Sequence, residues 1–410
     1  MGSELRDEGP GRRLRVSRAI SASIAVAGIV LAGVVVGRAV GSAALPTSVA
    51  IASPTVSPSA TPEASATPGA TATPTARPTP QPTPEPTPVL VPAPLTGRLV
   101  TEAQAAQHPI AVMIDDHRDA RPQSGFNAAS VVWQAPAEGG IPRYMLVYGE
   151  TIPAAVGPVR SARQYYVEWA AEWRAMYVHS GGSPGALQTL RALGSGQLVW
   201  NADEFRWGGR YLWRSAERWP PHNVYTDGEH LRALASIVGA TDGPQPAAWS
   251  FGPPADGDQR PLGAEIRVVY PYEAVTFRYD FATNTWPRFI DGSPEPQRDA
   301  ADGAIVAPTN VIVLRLRFGL LDDGSGKDRL EAAAIGGGDA WIASNGRIFH
   351  GTWRKDSASG ATLIFGADGR PVSLAAGQTF VQVIDLKYDY AVTAGRLPGL
   401  EFDRRSLSAR

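Results

Sequence analysis

The sequence contains no cysteine, and this absence sets the first limits on its chemistry. Disulfides, thiolate catalysis, cysteine-ligated zinc and a lipid-modified cysteine are all excluded within these 410 residues. Lysine is also scarce, because only Lys327, Lys355 and Lys387 occur among 38 basic residues. Nearly every cation is therefore an arginine, whose planar guanidinium binds carboxylate or phosphate in a bidentate manner. The net charge of −1 lacks the basic excess of nucleic-acid-binding domains, so we predict no nucleic-acid partner.

Familiar catalytic motifs are missing as well, since the chain has no HExxH, GxSxG, Walker or SxxK pattern. The acidic run Asp322–Asp328 resembles two ligand-binding loops but satisfies neither. A phosphate-binding loop needs Ser or Thr where Asp328 stands, and a calcium loop needs a closing glutamate that this run lacks. We interpret the run as a polar hairpin loop, and we predict neither a metal site nor a cofactor.

The N-terminus predicts a membrane anchor. Residues 1–18 are rich in arginine, and residues 19–37 carry no charge. A helix over that uncharged stretch spans roughly 28 Å, about one hydrocarbon core. The basic flank should stay in the cytoplasm, so we expect a single-pass cell-membrane protein whose globular part is extracytoplasmic. A cleaved signal peptide, with Gly41-Ser42-Ala43 as the cleavage region, is the alternative.

Residues 38–94 form the predicted stalk. The tract is rich in Pro, Thr, Ala and Ser, with fourteen prolines between Leu45 and Pro94. Such a composition buries too little apolar surface to form a core, so we expect a disordered or polyproline-like spacer.

Residues 95–240 alternate short apolar runs with helical patterns, which predicts an α/β domain with a layered, mixed sheet. The predicted strands are Ile110–Ile114, Val131–Gln134, Tyr144–Tyr148 and Ala175–Val178. The predicted helices run from an N-cap at Ser161 to about Arg174, from Pro184 after an N-cap at Ser183, and from Asp227 to Val238.

Residues 241–263 are rich in Pro, Gly and Asp, which predicts a linker, and residues 396–410 are a tail. Between them, residues 264–395 predict a smaller, mainly antiparallel β domain. Its strands are expected at Glu265–Tyr270, Ala274–Phe281, Asn310–Phe318, Trp341–Ser344, Arg347–Trp353, Thr362–Phe365 and Gln378–Leu386. Asn345-Gly346 between two of these strands favours a type I′ hairpin turn.

An arginine-rich stretch of the first domain predicts an anion-binding site. Guanidinium groups and free N–H groups at helix starts both favour phosphate or carboxylate. The candidate residues are Arg121, Arg143, Arg160, Ser161, Arg163, Gly181, Gly182 and Ser183. Alternatively, the arginines pair in a structural network with the acidic residues Asp115, Asp116, Asp119 and Glu138.

Candidate acid–base groups lie in the same region, although no catalytic residue is assigned. They are Asp115, Asp116, His179 and His222. The aspartates end a strand, where they could act as a base, bind a metal or simply form a turn. The histidines titrate near neutral pH, but histidines beside turns are also common structural residues. Trp207, Trp213 and Trp219 could stack on sugars, dock a partner or pack between the domains.

Six short segments carry a family pattern. They are AVMID at 111–115, ARPQSG at 120–125, EGG at 138–140, GPVRSAR at 157–163, VHSGGSP at 178–184 and PHN at 221–223. Together they resemble the YerB-like family of bacterial extracytoplasmic proteins, often lipoproteins, over about residues 94–386. The resemblance implies an α/β N-terminal domain and a smaller C-terminal domain, and it supplies no established catalytic residue.

The chain departs from that family pattern at several points. Family members tend to have Asn, Glu and Thr where this chain has Asp116, Gln134 and Pro142. If the glutamate were an essential base, this chain would lack it. The lipoprotein cysteine is also absent, so the predicted helix would replace the lipid as the tether.

Three functions fit these observations. We expect a membrane-tethered binding or assembly module for an anionic envelope polymer or precursor that bears phosphate or carboxylate. A hydrolase or transferase acting on such a polymer is the second hypothesis, with the aspartates and histidines as acid–base groups. A scaffold for a protein partner is the third.

Overall fold

The computed structural model describes residues 89–244 and 248–398. Residues 1–18, the predicted membrane segment 19–37 and most of the predicted stalk lie outside the described residues. Within the part of the chain that is described, no helix is both long enough and apolar enough to cross a membrane.

Strands dominate the described residues, and helices are few and short. The strands are β1 (Leu90–Pro92), β2 (Leu99–Thr101), β3 (Ile110–Asp115), β4 (Val131–Ala135), β5 (Arg143–Tyr148), β6 (Met176–His179), β7 (Trp200–Asp203), β8 (Trp213–Arg214), β9 (Val224–Tyr225), β10 (Ser250–Gly252), β11 (Glu265–Val269), β12 (Ala274–Arg278), β13 (Arg288–Ile290), β14 (Asn310–Leu316), β15 (Phe318–Leu320), β16 (Leu330–Ala332), β17 (Gly336–Ser344), β18 (Arg347–Lys355), β19 (Leu363–Gly366), β20 (Ser373–Ala375), β21 (Thr379–Asp385) and β22 (Tyr390–Thr393). The helices are α1 (Glu102–Ala105), α2 (Gln164–Ala170), α3 (Pro184–Leu193), α4 (Glu204–Trp207) and α5 (Gly228–Val238), with 3-10 turns at Arg118–Ala120, Glu138–Gly140, Ala171–Trp173 and Gly257–Gln259.

One large mixed sheet draws strands from both predicted domains. Its order is β19-β18-β17-β14-β21-β4-β5-β3-β6-β7. The two parts of the chain meet where β21 pairs in parallel with β4, from Thr379 opposite Val131 to Gln382 opposite Gln134. The predicted domain boundaries stay a prediction, but the domains they separate share this sheet.

Smaller sheets complete the fold. A four-stranded antiparallel sheet has the order β13-β12-β11-β22. The stretch predicted as a linker contains β10, which pairs in parallel with β20. The turn predicted at Asn345-Gly346 is confirmed, because both residues have positive φ, at 51° and 71°, and join β17 to β18. The polar run Asp322–Asp328 lies between the paired strands β15 and β16, as expected of a hairpin loop.

Both faces of the central strands of the large sheet are buried, as β3 illustrates, whereas one face of β18 is exposed. Ile110, Val112 and Ile114 join one apolar cluster, which also contains residues of α5 and of the four-stranded sheet. Ala111 and Met113 join a second cluster, together with residues of α2 and α3. Successive side chains of a strand point to opposite faces, so a strand covered on both sides needs an unbroken apolar run.

The first predicted helix begins later than expected. Its N-cap is Arg163 rather than Ser161, and α2 has seven residues. The Ser161 hydroxyl instead accepts a hydrogen bond from Arg143 at 2.7 Å. Ala162 is held in extended backbone, because its N–H donates to Gly181 at 2.9 Å and its carbonyl accepts from Ser183 at 3.1 Å. These tertiary contacts replace the predicted N-cap at Ser161, whereas α3 and α5 begin after Ser183 and Asp227 as predicted.

Candidate functional site

The site forms at one edge of the large sheet, where β3 ends and β5 begins. Because these strands are antiparallel, Asp115 at the end of β3 lies opposite Arg143 at the start of β5. A segment around Val159 pairs with the end of β3 and with β9 through backbone hydrogen bonds. This segment brings Arg160 to Asp115, and the loop before β9 brings His222 to the same carboxylate.

Asp115 is the centre of this arrangement. Its Oδ2 atom lies 2.7 Å from His222 Nδ1 and 3.1 Å from Arg160 Nε. Its Oδ1 atom accepts the backbone N–H of His117 at 3.1 Å. An ionised carboxylate can only accept, so His222 Nδ1 carries the hydrogen, and in the neutral imidazole Nε2 is then the nitrogen with the lone pair. The pair thus has the form of an oriented general base, with 13% of the His222 side chain exposed.

Arg143 and Arg163 converge on Ser161 and Glu138. Arg143 Nη1 donates to the Ser161 hydroxyl and carbonyl, both at 2.7 Å, and Arg163 Nη1 donates to the same hydroxyl at 3.2 Å. Glu138 pairs with Arg163 and, at 3.4 Å, with Arg143. Arg329 also approaches this carboxylate at 3.5 Å. Three guanidinium groups therefore share one carboxylate, and we call Asp115, Glu138, Arg143, Arg160, Ser161, Arg163 and His222 the arginine–histidine site.

The charges at this site do not balance. Burial, followed by the nearby charges of Arg163 and Arg160, lowers the pKa of Arg143 to about 10. Burial opposes ionisation of Glu138, but attraction to Arg143 and Arg163 outweighs it and lowers the pKa of that carboxyl. Among the described residues, the one ion-pair partner of Arg160 is Asp115, and 28% of its side chain is exposed. A partly exposed guanidinium beside crowded arginines suits an added anion.

Arg121 does not join the other predicted arginines. Its guanidinium binds Asp116 at 2.8 Å and Glu273 at 2.7 Å. Asp116 also accepts from Gln134 Nε2 at 2.7 Å, and the amide oxygen of Gln134 accepts from the buried Arg288 at 2.9 Å. Burial raises the pKa of Asp116 to about 6, although Arg121 opposes that rise. We call these five residues the Asp116 network; two cations and two carboxylates balance within it.

Gly181, Gly182 and Ser183, which precede α3, were also predicted to bind an anion through their backbone N–H groups. Most of these N–H groups already donate hydrogen bonds within the protein. The Gly181 N–H donates to Asp203 at 3.0 Å, and the Ser183 N–H donates to Ala162 at 3.1 Å. Gly182 lies between them, in a parallel bridge with Ala162. Anion binding at these three residues stays a prediction, and the hydrogen bonds described here do not favour it.

His179 has the surroundings of a structural residue. The ring is fully buried, and its nitrogens lie 2.8 Å from Gly181 O and 2.8 Å from Asn201 Oδ1. A base with both nitrogens occupied and no exposed surface has no route to a substrate. His222 is therefore the better candidate for proton transfer.

Sequence reasoning missed two neighbours of His222. The His117 ring stacks on His222, with centroids 4.7 Å apart and planes inclined by 15°. Tyr272 also stacks with His117, with centroids 6.1 Å apart, and it belongs to the turn between β11 and β12. The polar residues around His117 could have indicated from the sequence that His117 belongs to the site. No local pattern could have placed Tyr272 beside it.

The aromatic residues around the site divide into two groups. Trp219 is 87% exposed and stands three residues before His222, whereas Trp207 packs against the core.

A separate cavity of about 870 Å³ is lined by apolar residues that include Trp249 and Phe251. It shares no residue with the arginine–histidine site.

Fold and site together define a strand-rich protein whose large mixed sheet carries an arginine–histidine site at one edge. Residues 95–241 match the family described as "Protein of unknown function (DUF3048) N-terminal domain", and residues 266–381 match the corresponding C-terminal domain. The chain therefore belongs to the DUF3048 family, which confirms the YerB-like resemblance.

Comparison with individual proteins gives the same result. The chain is 28% identical over 299 residues to a Bacillus subtilis (strain 168) protein described as "Putative lipoprotein YerB", covering 71% of this chain and 86% of that protein. The crystal structure of the YerB protein from Bacillus subtilis is similar, with a TM-score of 0.64 and 26% sequence identity. That match covers 73% of this chain and 99% of the solved chain.

Proposed function

We propose that this protein is a membrane-tethered module of the cell envelope that binds an anionic group of an envelope polymer or its precursor. Arg160 is the contacting residue, with Arg143 and Arg163 behind it. The observation that carries the proposal is the charge imbalance, because Arg143 and Arg163 both contact Ser161 while Arg160, close to Arg143, stays partly exposed. Phosphate and carboxylate are the groups that a guanidinium recognises best.

The location of the protein follows from its relative and its sequence. The YerB relative is described as a lipoprotein, which supports a position outside the cytoplasm. The present sequence has no cysteine to carry a lipid, so residues 19–37 are the proposed tether. The proline-rich residues 38–94 then form a spacer between the membrane and the binding site.

The surroundings of the site suit a sugar-bearing polymer. Trp219 offers an exposed aromatic face close in sequence to His222, and such faces stack on sugar rings. The paired strands β3 and β5 hold Asp115 and Arg143 of the site opposite each other. The packing of α2 and α3 on one sheet face and of α5 on the other supports the layered α/β arrangement that the sequence predicts.

A hydrolase or transferase acting on the same polymer is the second candidate. It is favoured by the contact of 2.7 Å between Asp115 and His222. Because Arg160 and His222 contact the same oxygen of Asp115, an anion held by Arg160 would lie close to the His222 ring. That position is suited to proton transfer at a bond next to the bound anion.

Thermal unfolding in the presence of anions tests the binding proposal. The full chain in detergent, with EDTA present, is titrated with phosphate, pyrophosphate and anionic wall fragments. A ligand of the native state raises the Tm by mass action, and Arg160→Ala should lose that rise. Arg267→Ala is the matched control, because Arg267 forms an exposed ion pair with Asp291 at 3.1 Å away from the site.

The outcomes separate the candidates. An equal rise in Tm for wild type and Arg160→Ala contradicts the proposed site. No rise with any anion favours the scaffold hypothesis instead. If a fragment is bound and turned over by the wild type, and His222→Asn keeps binding but loses turnover, the protein is the enzyme of the second candidate.

A further inference from the structure

Three side chains with metal-ligating atoms meet beside His222, outside the arginine cluster. A ring nitrogen of His117, a ring nitrogen of His222 and a carboxylate oxygen of Asp119 all lie within 4.8 Å of one another. His117 Nδ1 is 3.5 Å from Asp119 Oδ2. Two ligands of a tetrahedral zinc ion with bonds of about 2.0–2.1 Å lie roughly 3.4 Å apart, so this pair needs little adjustment.

One hydrogen bond of His117 fixes the state of its Nδ1 atom. The single lone pair of Nδ1 accepts the backbone N–H of Asp119 at 3.2 Å, and a bound metal ion would take the place of that hydrogen bond. The nitrogen itself carries no proton. It therefore faces the Asp119 carboxylate without a proton of its own between them. A cation placed between a lone pair and a carboxylate is attracted by both.

The second histidine is prepared for the same role by Asp115. Because Asp115 holds the hydrogen on His222 Nδ1 at 2.7 Å, Nε2 is the nitrogen of the neutral ring that can bind a metal ion. A carboxylate behind a histidine in this way fixes the tautomer and the ring orientation in most histidine metal sites. The His117 ring stacks on His222 and on Tyr272, so the two histidine rings must tilt towards each other for both to bind one ion.

We propose that His117, Asp119 and His222 form a binding site for a divalent first-row transition metal ion, tested first as Zn²⁺, with Asp115 as the residue that positions His222. Two imidazoles and one carboxylate suit Zn²⁺ and its neighbours, and they do not suit Mg²⁺ or Ca²⁺, which prefer oxygen ligands. Three protein ligands leave a fourth position for water or for a bound group. No arginine takes part, so the site does not depend on the anion-binding proposal.

Calorimetric titration with Zn²⁺ tests this site. The full chain in detergent is purified through a tag without histidine, stripped with chelator and titrated in a buffer without phosphate. The wild type should bind one Zn²⁺ per chain, and Co²⁺ bound in its place should give the visible spectrum of a four-coordinate ion. His117→Ala and His222→Ala should abolish this binding, and Asp119→Asn should weaken it at least about tenfold, since each change removes one of three ligands.

Two further variants make the result specific. Asp115→Asn should keep one Zn²⁺ per chain and weaken its binding about 10- to 100-fold, as expected for a positioning residue. His350→Ala is the matched control, because His350 faces Asp339 at 3.5 Å in another His–Asp pair, and it should bind Zn²⁺ as the wild type does. Asp119 is 73% exposed, so Asp119→Asn should leave the fold intact, as circular dichroism can verify.

Two results would overturn the proposal. One is the absence of any Zn²⁺ binding to the wild type. The other is Zn²⁺ binding of equal affinity in the wild type and in folded Asp119→Asn and His117→Ala. Neither result bears on the anion titration, which contains EDTA, so the two proposals can fail separately.

Discussion

Asp115 and Asp116 are neighbours in the chain, yet they belong to two different polar assemblies. Asp115 holds Arg160 and His222, both of which reach the surface. Asp116 holds Gln134 and Arg121 and is fully enclosed. Strand geometry explains the division, because successive side chains leave a strand on opposite faces.

The comparison teaches that residue type alone does not define a site. Both assemblies combine aspartate with arginine. In the Asp116 network, however, the positive charges of Arg121 and Arg288 balance the negative charges of Asp116 and Glu273. The arginine–histidine site keeps an excess of positive charge and an exposed cation. The first arrangement is closed, whereas the second leaves a guanidinium partly exposed, as the proposed binding of an anion requires.

Removal of Arg121 should have the largest effect on stability. Arg121→Ala leaves the carboxylates of Asp116 and Glu273 buried without their cation, which should lower the free energy of unfolding by about 3–5 kcal/mol. The measurement is denaturant unfolding of the full chain followed by tryptophan fluorescence. Anion binding by the surviving folded protein should be unchanged, because Arg121 is not part of the arginine–histidine site.

A surface ion pair serves as the control for that variant. Arg278 pairs with Glu265 at 3.0 Å, and both side chains are exposed. Arg278→Ala should lower the free energy of unfolding by less than about 1 kcal/mol. If both variants lose the same stability, the Asp116 network is no more important than an exposed pair, and the contrast with the arginine–histidine site fails.

The sequence predicted much of the fold because its strongest patterns are local. Ile110–Ile114 and Tyr144–Tyr148 were predicted to within one residue of β3 and β5. Short edge or bridging strands such as β7 and β10 were missed, since two to four residues carry no clear period. The shared sheet was also missed, because the pairing of β21 with β4 joins residues about 250 positions apart and leaves no local signal.

The site was predicted in part for a similar reason. Arg143, Arg160 and Arg163 were expected together; Arg143 and Arg163 contact Ser161, and Arg160 is close enough to Arg143 to lower its pKa, while anion binding there stays a prediction. Arg121 was grouped with them because it also follows a strand, but its direction depends on Glu273 from the C-terminal region. His222 was a candidate, whereas its contact with Asp115 across more than 100 residues depends on tertiary structure alone.

Replacement of the hydrogen-bond donor Gln134 by an acceptor, inside the Asp116 network, should have the next largest effect on the free energy of unfolding. The family resemblance implies Asn at 116 and Glu at 134, and in this chain Asp116 accepts from Gln134 at 2.7 Å. Gln134→Glu places two carboxylates in that contact and removes its donor, so it should destabilise the protein by about 1–3 kcal/mol. The measurement is again denaturant unfolding of the full chain.

The double variant is the matched control. Asp116→Asn with Gln134→Glu restores one donor and one acceptor and keeps the total charge, so most of the lost stability should return. This outcome would explain both departures from the family pattern as one exchange within a structural contact. Equal stability of the single and double variants would contradict that explanation, and it would reopen position 134 as a functional one.

Within the two assemblies, the smallest change in stability is expected at Glu138, one of the two carboxylates of the arginine–histidine site. Glu138→Gln weakens the ion pairs to Arg143 and Arg163 and should lower the free energy of unfolding by about 1–2 kcal/mol near pH 7. Arg143 and Arg163 hold the pKa of Glu138 below its usual value despite burial. Its stabilising effect is therefore complete above the unfolded pKa of about 4.3 and is lost as the pH falls through the lower folded value. The difference between wild type and variant should shrink correspondingly below about pH 4.

The substitution Glu138→Gln also tests whether Glu138 only stabilises the fold or whether it competes with a bound anion for the arginines. If Glu138 partly neutralises the arginines that await an anion, Glu138→Gln should bind phosphate more tightly than the wild type, although it is less stable. Asp116→Asn should show no such gain, because its arginine partner faces a closed network. The measurement is the rise in Tm at matched phosphate concentrations, corrected for the Tm of each variant without ligand. A gain in Asp116→Asn equal to that in Glu138→Gln would mean that the two assemblies respond alike to loss of a carboxylate, and the distinction between them would have to be abandoned.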